Sequence, residues 1–217
     1  MSEVKLRWAT PNIDAEIAYQ ARVSNPDNQD NPEFARLLNY CMRNGHVSPF
    51  EMANMCVQID TTRDISRQIL RHRSFSFQEF SQRYEDAGKL GDMVERECRL
   101  QDVKNRQSSI VTDEQWLVDD FKDCQESVWE VAKFAYTEAL KLGIAKEQAR
   151  ALLPEGLTPT RLYMNGNIRS WIFYLKQRLD PTTQKEHRIV AEQVLTVLRE
   201  VAPVTAQAFF GDYNAEN

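Results

Sequence analysis

Glycine is scarce in this chain, at 7 of 217 residues, and no two form part of a GxGxxG run. The Rossmann pyrophosphate turn is therefore missing. Cysteine is equally sparse: Cys41, Cys56, Cys98 and Cys124 stand far apart with no CxxC pair, which excludes a thioredoxin-type site and a cysteine zinc cluster. The three histidines, His46, His72 and His187, show no HExxH spacing. No apolar run approaches the ~20 residues of a membrane span, and Met1 to Thr10 lacks the apolar core of a signal peptide. The expected compartment is the cytoplasm, with reduced thiols. Lysine is missing between Lys5 and Lys89, while arginine occurs nine times in that stretch.

What is present is ordinary globular material, 42% hydrophobic and 27% charged, with a net charge of -5. That charge argues against a general nucleic-acid binder. A single domain over residues 1–217 is expected. The arginine-rich first half of an acidic protein points to a local site for a small anion, since guanidinium grips phosphate and carboxylate bidentately. Surface ion pairs explain the same composition, and bulk counts do not separate the two.

Periodicity predicts a mostly helical α+β domain with a few strands. Val4 to Trp8 reads as a strand, and Thr10-Pro11 opens a helix to about Val23. Phe34, Leu37, Leu38, Cys41 and Met42 form a helical stripe that Gly45 ends. Met55, Val57 and Ile59 alternate as a strand, and Thr62 caps a short helix. Thr112 with Gln115 makes a capping box for a long helix to Gly143, whose apolar residues include Trp116, Phe121, Cys124, Val128 and Val131. A helix of that length suits a subunit interface or a span across the full molecule. Cys41 and Cys124, on apolar helix faces, and Cys56, in the strand, are expected to be buried. Asn167 caps a helix carrying Trp171 and Leu175, and a last long helix spans Thr183 to Val201 with His187 on its solvated face.

The densest chemical signal runs from Arg71 to Tyr84 (RHRSFSFQEFSQRY). Cations at a helix end are favoured by the dipole alone. Ser81, Gln82 and Arg83 nevertheless add hydroxyl, amide and guanidinium donors suited to a phosphate. Arginines interleaved with aromatics would also suit single-stranded nucleic acid, but the acidic chain and the lack of nearby lysine count against that reading.

Arg71-His72-Arg73, seven residues and Ser81 resemble the RHR-x7-S signature of the flavin-dependent thymidylate synthases. Ser76, Glu79, Arg83 and Tyr84 also match it, with Gln78 for an asparagine. Gly45-His46-Val47-Ser48-Pro49-Phe50-Glu51 resembles the family's GHxTPFEH, and Ala21-Arg22-Val23-Ser24 its early ARVS. Ala149-Arg150, Leu153-Pro154, Asn167-x-Arg169-Ser170, Leu175-x-x-Arg178, Gln184 and Glu186 follow in family order, so the likeness covers about residues 20 to 200.

The resemblance implies a complex α+β fold, mostly helical with a small antiparallel sheet and not a Rossmann fold, and reductive methylation of dUMP to dTMP. Methylenetetrahydrofolate would give the carbon, NADPH the reducing power, and FAD the redox relay, with no cysteine nucleophile. It implies a homotetramer with shared active sites, and FAD held by side chains. Ser24, His46, Ser48, Glu51, Arg71, His72, Arg73, Asn167 and Arg169 correspond to flavin contacts. Gln68, Arg71, Glu79, Ser81, Gln82, Arg83, Arg150 and Arg178 correspond to dUMP contacts, and Arg178 to the cation that stabilises the ionised uracil. Phe173 departs from the usual Asn or His, and Gln82 stands where glycine is common. Phe173 together with Gln78 keeps open a flavin- and nucleotide-binding relative without synthase activity.

Overall fold

The computed structural model describes residues 2–214. The chain begins with β1 (Glu3–Ala9), α1 (Ile13–Ala21) and α2 (Ala35–Arg43). It continues through β2 (Asn54–Thr62), α3 (Arg63–Ile69) and β3 (Ser76–Glu79), then a separate hairpin of β4 (Arg99–Gln101) and β5 (Ser109–Val111). α4 (Gln115–Lys141) and α5 (Lys146–Ala149) precede β6 (Pro159–Asn167), and α6 (Ile168–Arg178), α7 (Lys185–Val201) and α8 (Pro203–Phe210) complete the fold.

The main sheet is antiparallel, in the order β1-β2-β6-β3. Its central pair runs in register from Asn54 opposite Asn167 to Thr62 opposite Pro159. Met55, Val57, Ile59, Leu162 and Met164 bury the face that the period-2 pattern anticipates. α7 packs on β1 and α6, and Trp171, Tyr174, Val190 and Val194 join the strand residues in one cluster. The close fit has a backbone signature at Gly166 in β6. A Cβ there would lie 2.4 Å from Cδ1 of Phe75, so only glycine lets the ring approach.

Two junctions position the site. β2 runs straight into α3 at Thr62, and β6 into α6 at Asn167, whose carboxamide oxygen accepts from the Ser170 N–H at 2.8 Å. Because β2 and β6 are antiparallel, α3 and α6 leave the pair from opposite ends.

Several expectations are corrected. The long helix begins at Gln115 with Glu114 at its cap. Thr112 Oγ1 accepts from the Glu114 N–H at 3.3 Å, inside a turn that precedes the helix. The apolar stripe through Phe121, Cys124, Val128 and Val131 is exposed, and Gln125, Trp129 and Tyr136 form the face buried in its own chain. Cys124 is thus an exposed thiol, while Cys41 and Cys56 are buried as expected. His187 is fully buried: it continues the Val190, Ala191 and Val194 stripe and packs inward. α8 was not anticipated. Its N-terminus is capped from α1, where Asp14 accepts from the backbone N–H groups of Val204 (2.8 Å) and Thr205 (3.0 Å).

Candidate active site

The C-terminal ends of α3 and α6 meet. Arg178, last residue of α6, donates from Nε to Nε2 of His72 at 2.9 Å. That bond requires a bare Nε2 on His72, and burial followed by the Arg178 charge pushes its pKa down to about 4, so the ring is neutral at physiological pH. The His72 ring lies edge-on to Tyr174, with centroids 4.9 Å apart. Arg71 is exposed and close enough to add to the lowering of the Arg178 pKa, which burial dominates. Among the described residues neither Arg71 nor Arg73 forms an ion pair. Unneutralised guanidinium groups beside a neutral histidine form a site that favours an anion.

A second group lies where β3 ends. Glu79 Oε1 accepts from Ser66 Oγ (2.7 Å) and Thr160 Oγ1 (3.1 Å) and faces Arg63 Nη1 at 3.8 Å, while Oε2 faces Arg67 Nη1 at 3.6 Å. Arg63 is buried. Burial lowers its pKa, Glu79 opposes this, and nearby Arg67 and Arg150 add to the lowering. The turn after β3 carries Ser81, Gln82 and Arg83, and the Ser81 carbonyl accepts from the N–H groups of Tyr84 (3.0 Å) and Glu85 (3.1 Å). Arg83 pairs with Glu147 of α5 at 3.3 Å, and Arg150 Nε donates to the carbonyl of the same Glu147 at 3.3 Å, so both arginines meet one residue of α5. Gln82 is buried, with Nε2 unpartnered, and its side chain is packed into the protein.

The remaining residues lie at the other end of α6 and on the early loops. Arg169 pairs with Glu51 and sets its guanidinium 5.5 Å above the Phe173 ring, so Phe173 becomes part of a cationic stack. Asn167 caps this helix start. Ser24 lines a cleft of about 700 Å³ with Arg22, Arg36 and Tyr40, whereas Ser48 lines a separate one with Tyr19, Val23 and Met52. His46 is edge-on to Tyr40, centroids 5.7 Å apart. Arg22, from the ARVS segment, is buried and donates to the carbonyls of Asn31 (2.6 Å) and Glu33 (2.9 Å); it shapes the loop that carries Ser24.

The fold thus gathers Arg71, His72 and Arg178 at one point and Glu79, Ser81, Arg83 and Arg150 at a second. Ser24, His46 and Ser48 are on separate loops. Sequence reasoning passed over Arg63 and Tyr174 and set His187 aside. Only the i, i+3, i+7 spacing of His187 with Val190 and Val194 signalled that it faces inward.

Known proteins resemble the chain over most of its length. Residues 5–204 match the family model described as thymidylate synthase complementing protein. A flavin-dependent thymidylate synthase of a Synechocystis strain is 51% identical over 195 residues, covering 88% of this chain and 87% of the relative. One from Thermus thermophilus is 33% identical over 90% of this chain and 71% of its own. The crystal structure of a UMP/dUMP methylase from Streptomyces cacaoi bound with 5-Br UMP superposes with a TM-score of 0.85 at 28% identity, over 97% of this chain and 94% of that one. With nearly its whole length matched and half its residues shared with a named member, the chain belongs to the thymidylate synthase complementing protein family, that of the flavin-dependent thymidylate synthases.

Proposed function

We propose that this protein is a flavin-dependent thymidylate synthase that reductively methylates dUMP to dTMP, acting as one domain over residues 1–217. The observation that carries the reading is the Arg178–His72 contact beside the unpaired Arg71 and Arg73. The donor set fits FAD: unneutralised guanidinium groups suit its pyrophosphate, and the Arg169–Phe173 stack offers a flat face beside Asn167 and Glu51. When bound, FAD supplies the hydride relay from NADPH, with methylenetetrahydrofolate as carbon donor.

The protein supplies placement and charge. Ser81, Arg83 and Arg150 hold the nucleotide phosphate together with the backbone N–H of Gln82, whose side chain is turned inward, and Gln68, Arg71 and Glu79 complete the nucleotide contacts. Glu79 also keeps Arg63 and Arg67 in place through its ion pairs. Ser24, His46, Ser48, Glu51, Arg71, His72, Arg73, Asn167 and Arg169 contact the flavin. Arg178 stabilises negative charge on the pyrimidine ring. Its Nε is committed to His72, which holds the guanidinium in place, and among the described residues its terminal nitrogens make no hydrogen bond. No cysteine acts as nucleophile.

The second reading, a flavoprotein without synthase activity, rested on Phe173 and Gln78. Half-identity to a named synthase does not favour it. The early-loop residues and the RHR group complete one site across copies of the chain, and the uncovered stripe of α4 supports a homotetramer. The proposed compartment is the cytoplasm; no helix among the described residues is long and apolar enough to cross a membrane. The test is tritium release from 5-labelled dUMP by purified, yellow protein. Release that requires both NADPH and methylenetetrahydrofolate is expected; flavin-loaded protein that releases none refutes the synthase reading.

A further inference from the structure

His187 is fully buried, and both ring nitrogens are engaged: Nδ1 lies 3.2 Å from Gln68 Oε1 and Nε2 lies 3.2 Å from the Tyr174 hydroxyl. The direction of these bonds follows from the far end of a chain of contacts. Glu186 is ion-paired with Arg99 at 2.6 Å and Arg96 at 3.7 Å. Burial works to raise its pKa, but hydrogen bonds from its own backbone N–H, Arg99 and Gln184 outweigh it, so the group is a carboxylate. A carboxylate only accepts. Gln184 therefore turns Nε2 to Glu186 (3.0 Å) and Oε1 to Gln68. Gln68 must donate from Nε2 to that oxygen (2.7 Å), which leaves its own Oε1 toward His187. An amide oxygen also only accepts, so the single proton of His187 sits on Nδ1. Bare Nε2 then accepts from Tyr174, whose hydroxyl keeps its proton because burial pushes its pKa up.

The carboxylate thus sets the sense of every bond from Tyr174 to Glu186. One N–H of Gln68 is used on Gln184, and Gln68 is half-buried, so its second N–H remains to be offered. We propose that His187, backed by Gln184 and Glu186, is a positioning residue of the nucleotide site: it locks Gln68 so that the amide presents an N–H, and not its carbonyl, to an acceptor oxygen of the bound nucleotide. This rests on the reading of Gln68 as a dUMP contact. The same lock discriminates against a ligand that offers a donor at that position, because the Gln68 oxygen is already turned inward.

Asparagine at position 187 keeps an amide near the place of Nδ1, whereas glutamine places it near Nε2. The dissociation constant for dUMP, measured on flavin-loaded protein, is expected to stay within about twofold in His187→Asn and to rise about tenfold in His187→Gln, the effect of one misdirected hydrogen bond. In a Gln68→Ala background, His187→Gln should add nothing. Equal weakening by both variants, or additive effects with Gln68→Ala, overturns the proposal and leaves a merely structural His187. Nitrogen-15 NMR of the imidazole in nucleotide-free protein gives an independent reading: a protonated Nδ1 with bare Nε2 is expected, and a protonated Nε2 overturns the proposal whatever the variants do. Flavin-loaded wild-type protein that binds no dUMP at all overturns the nucleotide reading itself, and this inference with it.

Discussion

Buried His187 should make the protein acid-sensitive in a window set by its own titration. Its pKa is pushed down from 6.5 to about 3, first by burial, then by the Arg178 charge, with the neighbouring His72 opposing a second imidazolium beside it. The native state therefore resists the proton that the unfolded chain accepts. A depressed imidazole pKa means that stability is full above about pH 6.5, falls as the pH drops through that value, and levels off below about pH 3. Between pH 7.5 and pH 5.0 the unfolded imidazole becomes almost fully protonated and the native one does not, so linkage assigns this residue a loss of about 2 kcal/mol. With a urea slope of about 2–3 kcal/mol/M, the midpoint should fall by about 0.7–1 M. Other groups titrate in the same interval, so the informative quantity is a difference. Urea unfolding of wild type and His187→Asn at both pH values and one protein concentration isolates it, because asparagine does not titrate. The wild type should lose about 2 kcal/mol more than the variant on acidification. An equal loss in the two proteins would mean that His187 binds its proton as readily folded as unfolded, and the argument from burial would fail.

Arg178→Ala should abolish tritium release while flavin absorbance is largely kept, since among the described residues the Arg178 side chain gives up one hydrogen bond, to His72; turnover near wild type would remove Arg178 from the mechanism. Gly166→Ala forces a methyl against the Phe75 ring and should cost about 1–3 kcal/mol by chemical denaturation, with part of the loss recovered when Phe75→Leu makes room. Val131→Asp, on the uncovered stripe of α4, should shift the protein to smaller assemblies in sedimentation while the far-ultraviolet dichroism is unchanged. An unchanged sedimentation coefficient would show that this stripe is not what joins the copies.

The sequence by itself determined the period-2 run of Met55, Val57 and Ile59, the Asn167 cap and the apolar stripe of α6. In each of these the signal lies in neighbouring residues, and local backbone geometry turns it directly into structure. The RHR-x7-S segment was legible as a resemblance to a family, but which partners its two ends meet, Arg178 for His72 and Glu147 for Arg83, is set by residues far along the chain. Four other features were decided by contacts between residues far apart in the chain. α8 has Pro203 in its first turn as a local start signal, but its cap is Asp14, from 190 positions upstream. The stripe of α4 looked like a core face, yet that face points away from its own chain, and periodicity records amphipathicity without saying what covers it. Cys124 is exposed on that same stripe for this reason. The orientation of Gln68 comes from a carboxylate 118 positions later, relayed through Gln184 and told again by His187. Hydrogen-bond direction is a property of the assembled chain of donors and acceptors, and only the packing of α3 against α7 brings those groups within reach of one another.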